Sequence, residues 1–187
     1  MRRSVFDRII ATVILLVVLA GTPLRVSAIP TSYELNFPIV QQQNGSWCWA
    51  ACGSAVANYY GWSISQGQFV YDLRGNLLEQ GGSLNDIKNG LMNYSIRSTF
   101  LEGVMTLSQI SSRTYSAREP IVAAWFWRAG GGHAVVITGY INSAALGGQC
   151  VVYMDPWYGR IHTKDYAEFV GSGEHTWGGS LVNVQEI

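Results

Sequence analysis

The chain has 187 residues, 48% of them hydrophobic, and a formal net charge of zero. Its length suits one domain, and seven Trp and ten Tyr supply bulk for a core. Residues 1–28 read as a removable segment; without Arg2, Arg3, Arg8, Arg25 and Asp7 the chain keeps eight basic and eleven acidic side chains, a net of −3. That balance argues against nucleic-acid binding, which needs clustered Lys and Arg on the phosphates.

In chain order, Arg2, Arg3 and Arg8 form a basic start, Ile9–Ala20 is an apolar run, and Pro23 breaks it. Val26-Ser27-Ala28 fits the small-residue cleavage rule, so a signal peptide is predicted over residues 1–28 with cleavage near Ala28. The run is too short to span a membrane comfortably, and no second one follows. The mature protein is therefore expected to be secreted or periplasmic and free of the membrane; an uncleaved anchor is the alternative. Residues 29–46 read as an extended lead-in. A helix is predicted from Trp49 to Tyr60, with Gly61 placed to end it. Ser65 with Gln68, Ser83 with Asp86 and Thr106 with Gln109 have capping-box spacing. They predict helices to about Leu73, through Met92, and up to Pro120, which stops the third. Strands follow over Ile121–Trp127 and His133–Tyr140, joined by a turn at Ala129–Gly132. A third covers Gln149–Met154, a fourth begins at Arg160–Thr163, a short helix covers Asp165–Val170, and Ser180–Val184 is last. Helices first and antiparallel strands second is an α+β pattern. Such a chain meets itself along a cleft between its two halves.

The stretch Asn44-Gly-Ser-Trp-Cys-Trp-Ala-Ala-Cys52 puts Cys48 at or near a helix N-terminus. Free N–H groups and the helix dipole favour an anion there, so the thiol should become a better nucleophile. Gly130-Gly-Gly-His133 opens an apolar strand and Asp155-Pro-Trp-Tyr-Gly159 closes another. Cys, His and Asp in that order read as nucleophile, base and orienting carboxylate. Each also has a bland reading, as a buried cysteine, a satisfied core histidine and a turn residue before proline. His162, on a solvated strand edge, and His175, in a loop able to reach a cleft, are rivals to His133. Three cysteines in an exported chain leave one thiol over. The simplest arithmetic bridges Cys52 to Cys150 and leaves Cys48 free; the alternative makes both buried small hydrophobes. The cysteines and histidines have no metal-ligand spacing, so neither metal nor cofactor is expected.

These motifs resemble the papain-like cysteine peptidases over roughly residues 36–160. The closest likeness is to their short bacterial branch, which includes staphopains and secreted effector peptidases of plant pathogens. They are also similar to bacteriocin-leader peptidases. Gln42, the middle of Gln41-Gln42-Gln43, precedes Cys48 by six positions; Trp49-Ala50 follows it; His133-Ala-Val leads to Asp155-Pro-Trp157. The resemblance implies an N-terminal helical half, with the nucleophile at a helix N-terminus, packed on a C-terminal antiparallel sheet carrying His and Asp. It makes Gln42 the oxyanion donor, Cys48 the nucleophile, His133 the general base and acid, and Asp155 the residue that orients it. Trp49 and Trp157 would border the substrate. Asp155 stands where plant-type members have Asn. About twenty residues separate Ala28 from Cys48, too few for a folded inhibitory pro-segment. Restraint would then fall to a separate inhibitor or immunity protein, the secretion route, or Ile29–Pro38 acting as a short plug. The implied function is that of an exported, monomeric endopeptidase acting on protein or peptide substrates. The alternatives are an amidase toxin acting on peptidoglycan, or an inactive papain-like binding module.

Overall fold

The computed structural model describes residues 28–187. The expected signal peptide, Ala28 apart, lies outside the described residues. A short strand β1 (Ser32–Glu34) comes first, then three helices, α1 (Cys48–Tyr59), α2 (Gln66–Arg74) and α3 (Leu84–Met92). Ser65 accepts from the Gln68 N–H and Gly75 closes α2 in the left-handed region; Ser83 and Asp86 cap α3 reciprocally. The helices close on one ring. A Cβ at Gly53 of α1 or Gly90 of α3 would lie 2.2 Å or 2.5 Å from Phe69 of α2, so those two positions must stay bare. Small residues along α1 let it run buried from Trp49 to Ala57.

The rest is a sheet. Strands β2 (Ile96–Glu102), β3 (Ile121–Trp127), β4 (Gly132–Ser143), β5 (Gly148–Asp155), β6 (Arg160–Asp165) and β7 (His175–Glu186) lie in the order β2-β7-β3-β4-β5-β6, all antiparallel. Between them lie α4 (Leu107–Ser111), which runs on into a π turn at Ser112–Ser116, and α5 (Tyr166–Val170). One face of the sheet packs on α1–α3 through Val122, Ala134, Val136, Met154 and Leu181. The other face, built on Ala123, Trp125, Val135 and Tyr153, packs with α4 and α5 through Ile110 and Phe169. The architecture is the α+β arrangement expected.

Two strands depart from the expectation. β2 was not predicted, because only Ile96 and Ser98 of its seven residues are buried and a sheet edge needs no more. β7 starts at His175, five residues ahead of the expected start at Ser180. Gly178 and Gly179 sit inside it because the rings of Phe126 and Phe100 lie over them.

Only Ser32–Glu34 of the lead-in forms a strand, and no residue of Ile29–Pro38 lines the cavities at Cys48, so this segment is not a plug. Ser32 pairs with Ile141, eight positions along β4 from His133, and Leu35 and Phe37 are buried in the helix-side core. A Cβ at Gly139 would lie 2.1 Å from the Tyr33 carbonyl, so β4 is bare where β1 crosses it.

The expected Cys52–Cys150 bridge is absent: all three thiols are free. Cys52 is buried in α1, close enough to Cys48 and Asp155 for both to influence it. Cys150 lies five residues from Asp155, about 17 Å along β5 at about 3.4 Å per residue, and its thiol bonds the Gly147 carbonyl. Bridging needs Cα atoms within about 7 Å. Both residues are buried small hydrophobes. Unfolded, unreduced protein should therefore titrate three thiols with a chromogenic disulfide reagent; a count of one would restore the bridge.

Candidate active site

Helix α1 begins at Cys48 itself. The residue before it, Trp47, makes no side-chain cap, so no capping side chain competes with the sulfur for the first N–H groups of the helix. His133 is the second residue of β4 and Asp155 the last of β5. The register that pairs Val136 with Met154 brings them together on one face. His133 Nε2 and Asp155 Oδ1 lie 2.7 Å apart, both residues buried. The same oxygen accepts the Trp157 N–H at 2.9 Å, which fixes the carboxylate. The ring of His133 and the thiol of Cys48 are close enough for each to act on the other's ionisation.

Burial alone would push the Cys48 thiol up. The nearby His133 ring, the N–H groups of Ala134 and Trp49 and the charge of His133 outweigh it, and the thiol sits below its ordinary value. Burial likewise works against charge on His133. The bond to Asp155 and the nearby Cys48 sulfur, with their negative charge, win, and its pKa is raised to about 9. Both shifts act in the same sense, toward a thiolate beside an imidazolium.

Gln42 is the inward member of its triplet; Gln41 and Gln43 are exposed. The buried Gln66 at the start of α2 clamps the loop, donating to the Gln41 carbonyl at 2.7 Å and accepting the Gln43 N–H at 3.0 Å. The Gln42 N–H donates to the Pro156 carbonyl at 2.8 Å, which ties the loop to the turn after Asp155. The Gln42 Nε2 donates to the carbonyls of Asn44 at 2.8 Å and Gly45 at 3.1 Å. Its Oε1 is buried and accepts no hydrogen bond among the described residues.

The two tryptophans part company. Trp157 is 55% exposed and borders a cavity of 360 Å³ with Cys48, His133 and Asp155. Trp49 is 0% exposed and cannot touch anything in the cleft, so the expected substrate contact is corrected. Its ring lies under Gly82, its Nε1 donates to the Gln80 carbonyl at 3.0 Å, and the Arg74 guanidinium sits 4.3 Å from its centroid. Arg74 donates in turn to the Gly81 carbonyl at 2.9 Å and pairs with Asp86 at 3.4 Å. Trp49 and Arg74 together support the Gly81–Gly82 wall of a second cavity, of 500 Å³, which also borders Cys48 and His133. A Cβ at Gly82 would meet the Trp49 ring at 2.4 Å, and that ring has nowhere to go. Gly82→Ala should push the wall inward, raising KM for peptides about tenfold and costing roughly 1–3 kcal/mol of stability, as overpacking does. Michaelis kinetics and thermal melting measure both, and unchanged KM would sever this wall from binding.

The rivals to His133 stand apart. His175 is buried in β7, not in a loop; its Nδ1 lies 3.1 Å from the Ser172 hydroxyl and its ring 4.2 Å from that of Trp125. His162 sits on the edge strand β6, as expected. Sequence reasoning missed Trp127, whose indole stacks on His133 with centroids 6.1 Å apart and planes 22° from parallel. The only signal was Trp125 and Trp127 two apart, on one face of a strand. It missed Gln66 and Arg74 because nothing local distinguishes them from surface helix residues.

A family model described as papain-like cysteine protease AvrRpt2 matches residues 31–174. No curated protein matches the chain. Among solved structures, a double glycine motif protease from an AMS/PCAT transporter, in complex with its leader peptide, is 18% identical with a TM-score of 0.59, covering 82% of this chain and 94% of that one. The peptidase domain of Streptococcus ComA, a bifunctional ABC transporter, is 20% identical with a TM-score of 0.59, covering 80% and 98%. UfSP from C. elegans is 14% identical with a TM-score of 0.56, covering 92% of this chain and 37% of that one.

Proposed function

This chain belongs to the AvrRpt2 family of papain-like cysteine proteases, and we propose that it is an exported endopeptidase working through Cys48, His133 and Asp155. The observation that carries the reading is the continuous relay from thiol to imidazole to carboxylate, with Nε2 and Oδ1 2.7 Å apart at one end and α1 beginning at the sulfur at the other. The Cys48 thiolate attacks a peptide carbonyl carbon, and the carbonyl π electrons move to oxygen. The Cys48 N–H and the Gln42 amide hold that oxyanion. Gln42 must first release the longer of its two bonds, the one to Gly45 at 3.1 Å. His133 gives its proton to the leaving amine, whose bond to carbon breaks. It then takes a proton from water, which attacks the thioester and returns the thiolate. Asp155 keeps the ring in register throughout, and Trp157 borders the substrate.

The basic, apolar and small-residue pattern ahead of Ile29 supports export to the periplasm or beyond. The enzyme works as a monomer, and its restraint lies with the secretion route or a separate inhibitor. The deciding experiment is digestion of a peptide library by the purified protein, with cleavage sites read by mass spectrometry. Cleavage within peptides supports the endopeptidase. Lysis of cell walls without proteolysis transfers the same machinery to an amidase, and a reactive thiol that turns over no amide leaves only a binding module.

A further inference from the structure

On the far side of Asp155 from Cys48, a groove of 880 Å³ runs along β6. Trp127 and Tyr153 give it an aromatic floor. Arg160, His162 and Lys164 alternate along β6, so all three stand on the sheet face that carries their cross-strand neighbours Asp155, Tyr153 and Val151. Trp127, Asp155 and Tyr158 border both this groove and the smaller cavity at Cys48, so the two adjoin.

Arg160 stands at the near end and is held from two sides. Its guanidinium lies 5.2 Å from the Tyr158 centroid, and its Nε–H donates to His162 Nε2 at 3.1 Å. His162 is itself stacked on Tyr153, with centroids 5.5 Å apart and planes 22° from parallel. Burial, with the nearby Arg160 charge, lowers its pKa, so it accepts that bond as a neutral ring. Among the described residues no carboxylate forms an ion pair with Arg160; Asp155, its cross-strand neighbour, is committed to His133. Lys164 and Glu174 both act on His175 at the far end, where charge is mixed. At the near end the one carboxylate, Asp155, is held by His133 and the Trp157 N–H, which leaves Arg160 without an acid partner. A long side chain loses entropy when it is fixed. A fixed guanidinium without an acid partner is therefore a ready-made seat for a carboxylate.

On the endopeptidase reading above, we infer that the substrate segment on the leaving-group side of the scissile bond runs past Trp157 and Tyr158 into this groove and sets a carboxylate side chain on Arg160. That side is fixed by chemistry. His133 delivers its proton to the leaving nitrogen, and Trp127, Asp155 and Trp157 border the route beyond it. Asp155 and Arg160 are cross-strand partners, about 5 Å apart at Cα. At about 3.3 Å per extended residue, the acidic residue falls roughly two to four positions after the cleaved bond.

Matched peptides carrying Glu, Gln or Lys at those positions test this, beside a fluorogenic substrate that ends at the scissile amide. The protein should cleave one Glu peptide at least tenfold better, in kcat/KM, than its Lys twin, and added salt should shrink the margin. Arg160→Glu should reverse the preference and leave the fluorogenic substrate unchanged. Binding of the uncleaved peptides to Cys48→Ala, read by fluorescence anisotropy, should follow the same order and reverse with Arg160→Glu. Efficient cleavage with no charge preference, or with one that survives Arg160→Glu, overturns the inference and leaves the endopeptidase standing. Charge-selective binding without any cleavage does the opposite.

Discussion

Cys48→Ala should retain the fold and lose amide cleavage by about 10⁴-fold or more, as removal of a catalytic nucleophile does elsewhere. The change deletes one sulfur at the mouth of the cleft, so thermal stability should move by no more than about 1 kcal/mol. His133→Ala should be as inactive for a different reason, and the difference is measurable. It strips Asp155 of its ring partner and leaves a buried carboxylate oxygen held by the Trp157 N–H alone, which costs roughly 1–3 kcal/mol. It also removes the largest influence holding the Cys48 thiol down, so burial then governs the sulfur. Iodoacetamide should label Cys48 in the native protein at mildly acidic pH, whereas His133→Ala should need a pH at or above that of an ordinary thiol, about 8.5. Normal turnover by either variant, or identical labelling profiles, would break the pairing of these two residues.

The route from sequence to site was direct where chemistry is local and failed where it depends on packing. Ser83 with Asp86 and Thr106 with Gln109 specified their helix starts, because a cap needs only four consecutive residues. Cys48 was legible as a helix-start thiol, because the Gly-Ser turn before it and the small residues after it both lie within one turn. Choosing Gln42 from three consecutive glutamines needed the spacing of a resemblance. What turns that one inward is the clamp of Gln66 on its two neighbours, a contact across more than twenty residues. The supposed disulfide failed for the converse reason. Cysteine arithmetic counts thiols, whereas a bridge needs proximity, and β5 carries Cys150 away from the end that faces Cys52. Trp49 misled because a residue adjacent to a nucleophile in sequence lies 100° around the helix from it, here pointing into the core beneath Gly82. Trp127, which does lie on His133, reached it across the β3–β4 pairing and carried almost no local mark.

Asp155→Ala should cost about a hundredfold or more in kcat/KM and Asp155→Asn about tenfold, within the span that general acid–base assistance usually carries. The pH profile should separate the two roles of this carboxylate. In the native site the working state pairs a thiolate with an imidazolium. Activity therefore rises as Cys48 loses its proton and falls as His133 loses its own at about 9. The Asn variant can still accept from the ring but brings no charge; the Ala variant does neither. The alkaline limb should thus move down from about 9 toward the ordinary histidine value, a shorter way for Asn than for Ala. Stability follows the same sign. A histidine whose folded pKa is raised contributes fully below its unfolded pKa of about 6.5. That contribution fades as pH climbs through about 9. Native protein should therefore lose its thermal margin over Asp155→Ala on going from pH 6 to pH 10, insofar as that margin comes from the charged pair. Melting curves at the two pH values measure the loss, and rate profiles locate the limb. If both variants keep a limb near 9 with equal residual rates, Asp155 acts only through the Trp157 turn and the relay ends at His133.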